Sequence, residues 1–244
     1  MTSGADFYDD EQVFANYMQR RQRTDSPNDT IEKPIFMEMF GSYPGKSVLD
    51  LGCGDGGFGA ELLAGGCTSY TGVEASARMA ALAQEQLAPL GGILHHDSIE
   101  HWMYPENAFD LVASRLALHH TDNIVRTFAR VYDALKPGGW FAFSVEHPVL
   151  TSSHQSATAS GRRYEWTVDD YFITGARNVA WMGSEVIKFH RTVEDYFSAL
   201  QHAGFTVEQL RESRPRREMF TDPELYERRT RIPLFLLLAA RKPA

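Results

Sequence analysis

Asp50 stands two residues before the glycine run Gly52-Cys53-Gly54-Asp55-Gly56-Gly57. Glycines at that density make a turn tight enough for the backbone to approach a ligand closely. A carboxylate beside such a loop repels a pyrophosphate and suits a ligand with an ammonium group and no phosphate. The same residues also read as Gly52-x-Gly54-x-x-Gly57, with Glu74 at about the distance of an acid that holds a ribose hydroxyl, which is the pattern of a dinucleotide site. Two other places suit proton movement: His119 and His120 after one apolar run, Glu146 and His147 after another. A neutral imidazole accepts a proton near neutral pH, which a hydroxyl or ammonium nucleophile requires. Glu146 can orient a histidine or bind a cation. The only cysteines, Cys53 and Cys67, build no disulfide framework or metal cluster by themselves, and Cys53 fits the loop as a small side chain.

The elements that must position these groups follow from periodicity. Val48 to Leu51 ends a buried strand and Phe58 to Ala64 is helical, so the glycine loop lies in a strand-to-helix crevice, where open α/β sheets bind ligands. Ser69 to Val73 is a second strand ending at Glu74. Ser76 caps a helix through Leu87, with Met79, Ala80, Ala83 and Leu87 on one face. Ile93 to His96, ending at Asp97, and Phe109 to Ser114 are the third and fourth strands. Thr121 or Asp122 caps a helix carrying Ile124, Phe128, Val131 and Leu135, which Lys136-Pro137-Gly138-Gly139 closes. Trp140 to Val145 has the apolar character of a buried parallel fifth strand. Thr192-x-x-Asp195 opens a helix as a capping box that ends at Gly204; Phe205 to Leu210 and Ile232 to Ala240 are strands six and seven, joined by a charged connection over Arg211 to Arg229.

This alternation predicts a Rossmann-like, doubly wound α/β sheet with helices on both faces. The expected units are an N-terminal helical cap over 1–45, a core over 46–148, an insertion over 149–191 and a C-terminal completion of the sheet over 192–244. In the cap, Glu11 to Gln22 is one helix, and Asp29 or Thr30 caps another through Met39. In the insertion, Thr151 to Gly161 reads as a mobile loop. Arg163 to Phe172 and Val179 to His190 read as an aromatic-bearing hairpin or small sheet, a lid after strand five.

Asp50-Leu51-Gly52-Cys53-Gly54-Asp55-Gly56 closely resembles the signature loop of class I S-adenosylmethionine-dependent methyltransferases. Glu74, Asp97 and Leu135-Lys136-Pro137-Gly138-Gly139 resemble that family's later motifs, and the likeness covers about Lys46 to Val145. The resemblance implies S-adenosyl-L-methionine as cofactor. Asp50, Gly52, Gly54 and Gly56 would hold its methionine part, Glu74 both ribose hydroxyls, Asp97 the adenine amino group, and Ser98 and Ile99 the base. Cys53, Ala75 and Arg115 complete the expected cofactor set. The resemblance also implies an antiparallel seventh strand beside the sixth, and leading helices that cover the cofactor. Methyl transfer needs alignment and exclusion of water above all. His120 or His147 is the expected base, with Glu146 beside it. His119, Tyr8, Tyr17, Tyr164, Trp166, Tyr171, Trp181 and His190, with Phe172 and Phe189, are expected around the acceptor, an aromatic-rich wall that suits a flat or apolar molecule.

With 244 residues, 43% hydrophobic and 23% charged, the chain has the make-up of an ordinary globular protein, long enough for a large core. A net charge of −8 gives a nucleic-acid partner no general electrostatic support. No run reaches membrane-spanning length and no signal-peptide pattern opens the chain, so a cytoplasmic monomer or homodimer without bound metal is expected. The expected activity is methyl transfer to oxygen, nitrogen or electron-rich carbon of a small molecule, in specialised metabolism. A nicotinamide-dependent oxidoreductase and a non-catalytic S-adenosylmethionine-binding regulator are the competing readings.

Overall fold

In the computed structural model, which describes residues 4–21, 25–154 and 165–244, a seven-stranded sheet has the order β3-β2-β1-β4-β5-β9-β8. The strands are β1 (Ser47–Leu51), β2 (Ser69–Glu74), β3 (Ile93–His96), β4 (Phe109–Arg115), β5 (Leu135–Glu146), β8 (Thr206–Glu212) and β9 (Phe235–Arg241). The pairs β1–β2, β2–β3, β1–β4 and β4–β5 are parallel. β9 runs antiparallel to both neighbours, β5 and β8, and so lies between them. The chain winds outward through β2 and β3 on one side of β1 and through β4 and β5 on the other. The crevice beyond the carboxyl ends of β1 and β4 is therefore the topological switch point, where a ligand is expected in such a sheet.

Period-2 alternation along the strands supplies both faces. Leu236 and Leu238 of β9 join one core with Leu49, Phe128, Phe141, Phe143, Tyr196 and Leu200, while Leu237 and Ala239 join the other with Val48, Leu62, Tyr70, Phe36 and Phe40. The first core is covered by α6 (Ile124–Ala134) and α8 (Val193–His202), the second by α3 (Lys33–Phe40), α4 (Gly57–Ala64) and α5 (Ala77–Leu87). The Ser76 cap of α5, its predicted buried face and the Thr192–Asp195 capping box of α8 are all present.

The third hydrophobic cluster joins the two ends of the chain's covering segments. β6 (Gly175–Trp181) and β7 (Ser184–His190) form an antiparallel hairpin separate from the main sheet. It packs on α1 (Gly4–Asp9), which is followed by α2 (Glu11–Arg21). Phe7, Val13 and Val186 are buried there, and Phe7 stacks on Trp181 at 5.4 Å between ring centroids.

Several local expectations need correction. α6 is capped by Asn123, whose side chain accepts the Arg126 N–H, because the Arg191 guanidinium holds the Thr121 and Asp122 carbonyls ahead of the helix. The helix expected to start at Asp29 or Thr30 begins earlier, in a π-helical turn over Asn28–Glu32, and the Thr30 hydroxyl donates to the Ser26 carbonyl instead of capping. The 165–172 stretch carries no strand; pairing begins at Gly175, and Phe172 is 85% exposed. The charged connection expected over Arg211 to Arg229 contains α9 (Pro223–Thr230), capped by the Asp222 side chain with Pro223 at its first position. α1 was not foreseen. Tyr164, Arg163 and most of the loop expected over Thr151 to Gly161 lie outside the described residues.

Candidate cofactor and acceptor site

A cavity of about 650 Å³ opens at the switch point. Its floor is made by the ends of β1, β2, β4 and β5, and its cover by Gly4, Ala5, Tyr8 and Tyr17 from α1 and α2 and by Trp181 and Lys188 from the hairpin. The volume falls within the roughly 300–1,000 Å³ usual for small-molecule sites.

At one end the glycine loop sets the geometry. Gly52 and Gly54 have φ of +75° and +60°, a region costly for any other residue. A Cβ on Gly52 would stand 2.3 Å from the Ala117 Cβ, whereas one on Gly54 would meet nothing within 4 Å, so the loop is tight behind and open in front. Gly56 has a different task from the one expected of it: it is not on the cavity wall. A Cβ there would come 2.9 Å from Ala83 Cα, so its bareness lets α5 pack against the loop. Cys53 lines the wall, and burial pushes its thiol well above the usual value, which leaves it a small apolar group.

The carboxylates differ in how they are held. Asp50 Oδ2 accepts from the Tyr70 hydroxyl at 2.7 Å, while its Oδ1 is buried without a hydrogen-bond partner. Burial pushes this carboxyl up to about 6. Glu74 accepts the backbone N–H of Gly54 at 2.9 Å and of Ser76 at 2.8 Å, one on each oxygen, and burial pushes it up too. Each oxygen keeps a second acceptor position. Asp97 binds the N–H of Ser98 at 2.7 Å and stays off the wall, which Ser98, Ile99, Glu100 and His101 form at that point. Ala75 lines the cavity, as does Arg115. The Arg115 guanidinium is ion-paired with the fully buried Glu32 and lies 5.0 Å from the Phe58 ring centroid. These residues fit S-adenosylmethionine: Asp50 Oδ1 lacks the cation that an ammonium would supply, Glu74 can accept from a diol, and the Gly54 face is open.

The other end is built from His119, His120, Thr121, Glu146, Lys188, Tyr8, Tyr17 and Trp181. His120 Nδ1 lies 3.1 Å from the Ile187 carbonyl. A carbonyl only accepts, so Nδ1 carries the proton and Nε2 presents a lone pair. Burial, then the nearby Lys188 charge, push His120 down to about 4, so the ring is neutral at pH 7. His119 is pushed well below the usual value by burial and by His120, and its Nδ1 makes a long 3.5 Å contact with the Glu146 N–H. Lys188 donates to Glu146 Oε1 at 2.6 Å and lies 4.9 Å from the Trp181 centroid. The hydroxyl of Tyr8 is held protonated by burial, then by the charges of Tyr17, Glu74 and Glu146.

Several expected site residues stand elsewhere. His147 begins the short helix α7 (Pro148–Thr151): its Nδ1 accepts the Val149 N–H at 3.2 Å and its Nε2 meets Glu212 at 3.0 Å, so neither nitrogen is available to a substrate. His190 is engaged likewise by Thr151 at 2.8 Å and the Tyr171 carbonyl at 3.0 Å. The Tyr171 hydroxyl accepts the Val193 N–H. Trp166 lies beside a separate, smaller cavity. Phe189 packs near the Arg191 guanidinium, with 5.6 Å to its ring centroid.

Sequence reasoning missed Lys188, Lys33, Asn28, Asp29, Phe58, Met79 and Phe235 on the wall. Lys188 had a signal: in β7 it shares the inward register with Val186 and His190, where a lysine needs a partner. Among the described residues no helix is long and apolar enough to cross a membrane, and no group of three or more His, Cys, Asp or Glu side chains is placed to hold a metal ion.

Residues 49–143 match the family model of a methyltransferase domain. A structure of an S-adenosylmethionine-dependent methyltransferase from Mesorhizobium loti is 36% identical, covers 86% of this chain and 97% of its own, and superposes with a TM-score of 0.78. A curated protein of Haemophilus influenzae is 30% identical over 227 residues, 87% of each chain. A Haemonchus contortus phosphoethanolamine N-methyltransferase 2 structure in complex with S-adenosyl-L-methionine is 17% identical. It covers all of this chain and 61% of its own at a TM-score of 0.67, a likeness of fold alone.

Proposed function

The chain belongs to the S-adenosylmethionine-dependent methyltransferase family, and from that premise we propose that it methylates a hydroxyl or amine of a small molecule, with His120 as the general base. One observation carries this reading: a single covered cavity has two chemically different ends, carboxylates and an open glycine loop at one, and a neutral imidazole within an aromatic wall at the other. A covered cavity of about 650 Å³ suits a cofactor and a small acceptor better than a macromolecular one. We place the protein in the cytoplasm, where its cofactor is made.

When bound, the cofactor supplies an electrophilic methyl group on sulfur, which the acceptor takes as the carbon–sulfur bond breaks. The chain's residues do the rest. Asp50 offers its unpartnered oxygen to the ammonium and Glu74 its remaining acceptor positions to the ribose. The backbone of Gly52 to Gly54 allows close approach. The N-terminal helices and the β6–β7 hairpin act as a cover that excludes water and aligns the acceptor. His120 Nε2 receives the acceptor's proton, and the Ile187 carbonyl steadies the imidazolium that forms, since it already holds the opposite N–H.

Incubation with methyl-labelled cofactor and a metabolite extract tests this. Label is expected in small molecules. Label found only in protein or RNA would overturn the acceptor class, and no transfer at all, with cofactor bound, would favour a non-catalytic binder.

A further inference from the structure

The Glu146–Lys188 pair and Trp181 belong to two cavities at once. Besides the main cavity they line a smaller one of about 180 Å³, completed by Trp166, Arg228 and Arg229 with apolar side chains between them. The two spaces have opposite electrostatic character. Among the described residues, seven carboxylates face the main cavity against three cations, whereas three cations face the smaller one against the carboxylate of Glu146. A cationic cofactor is favoured in the first, and an anion in the second.

We propose that the smaller cavity is a subsite for an anionic group, carboxylate or phosphate, on the methyl acceptor, with Lys188, Arg228 and Arg229 as its recognition residues. The proposal rests on the small-molecule reading above and narrows it: the acceptor has a nucleophilic end near His120 and an acidic end across the shared wall. Lys188 stands at the boundary of the two spaces. Its side chain is only 3% exposed, and among the described residues its one hydrogen bond goes to Glu146. An ammonium has three N–H donors, so two remain for a ligand at a place where water is scarce. Trp181, with its ring 4.9 Å from Nζ, holds the lysine at the boundary rather than letting it swing into either space. One of the two arginines is braced too: the guanidinium of Arg228 lies 6.0 Å from the Trp166 ring centroid. A planar, pre-positioned guanidinium is the group best suited to a carboxylate or phosphate.

The pair also explains why a lysine is tolerated inside an aromatic cover. Unpaired, it would carry a large desolvation cost; with Glu146 it is neutralised and still offers donors. The carboxylate then keeps the anionic end of the acceptor from sliding past Lys188 toward the reacting groups.

The test is calorimetry on the protein saturated with S-adenosylhomocysteine, using hexanoate, hexyl phosphate and hexanol as probes. The better of the two anions should bind about tenfold tighter than hexanol or more, as charge-assisted hydrogen bonds imply, and the winner identifies the group. The double variant Arg228→Gln/Arg229→Gln should lose that preference while keeping its affinity for S-adenosylhomocysteine, and Lys188→Gln should weaken it by an independent route. Equal binding of hexanol, or a preference that survives in both variants, overturns the proposal. None of the probes needs to be methylated. A failed subsite is thus told apart from a failed acceptor reading, which the labelled-extract experiment reads by itself.

Discussion

The two ends of the cavity are built in different ways. At the end proposed for the cofactor, the acidic side chains are tied close by at the strand ends: Glu74 to the backbone N–H groups of Gly54 and Ser76, Asp97 to that of Ser98, and Asp50 to the Tyr70 hydroxyl on the neighbouring strand. At the acceptor end the ties span the chain. His120 is held by Ile187, Glu146 by Lys188, and Trp181 by Phe7. Asp9 of α1 accepts from the Ser76 hydroxyl at 2.7 Å, so the cover is latched to the cap of α5 in the core. One end is therefore stiff with its strands, while the other depends on separate segments arriving together. Damage at the first should read as lost cofactor affinity, and damage at the second as lost turnover with affinity kept.

The sharpest way to break that contrast is Gly52→Val. Its side chain would collide with Ala117 at a residue held at φ +75°. Cofactor affinity should fall by roughly a hundredfold or more, since the strain and overpacking together cost several kcal/mol; calorimetry with S-adenosylhomocysteine measures it, and near-normal affinity would mean the loop is not the cofactor's seat.

At the opposite end, His120→Gln should lower kcat by about a hundredfold, with cofactor affinity within a few-fold of the parent. The pH profile sharpens this. Because burial and Lys188 push His120 down to about 4, the ring is already neutral above about pH 5. The ordinary imidazole limb that a solvent-exposed histidine would give should therefore be missing, and the rate should not rise between pH 6 and 8 on His120's account. A limb near the usual histidine value that disappears in the variant would contradict the buried, neutral ring.

Glu74→Ala should cost about tenfold in cofactor affinity, as hydrogen bonds to a charged group imply. Here the structure adds a second consequence. Glu74 also terminates two backbone N–H groups, so the variant should melt below the parent even without ligand. An unchanged melting temperature would show that those bonds are replaced by water.

A smaller effect separates Asp50 from Glu74. With its carboxyl pushed up to about 6, Asp50 is increasingly protonated below that pH and loses its attraction for an ammonium. Affinity for the cofactor should rise severalfold between pH 5 and pH 7.5 and then level, and Asp50→Asn should flatten the curve. The smallest effect is expected at His147. As a helix cap bonded to Glu212, it should give His147→Gln a kcat within a few-fold of the parent; a loss as large as that of His120→Gln would return it to the catalytic groups.

Much of the sheet was readable because each strand and helix announces itself over a few neighbouring residues. The Ser76 and Thr192 caps, the buried face of α5 and the apolar runs of β5 and β9 are examples. Misplaced helix starts trace to a competing partner, local in one case, where the Ser26 carbonyl takes the Thr30 hydroxyl, and distant in the other. The start of α6 moved to Asn123 because Arg191, almost seventy residues on, binds the carbonyls before it. α9 is the exception, since its Asp222–Pro223 opening was present and went unread.

By itself the amino-acid sequence laid out most of the cavity end proposed for the cofactor, because a glycine loop, the carboxylate beside it and Glu74 at the next strand end are contiguous patterns whose geometry follows from backbone sterics and strand direction, although Asp97 and Gly56 stand off the wall. Tertiary structure alone decided between two histidines of equal promise. Glu146 and His147 are adjacent, yet one faces the cavity and the other caps a helix against Glu212. It also brought Lys188 to Glu146 across more than forty residues. Such pairings are set by which surfaces bury together when α1, the hairpin and the sheet close on one another, a sum over distant contacts that local spacing does not encode.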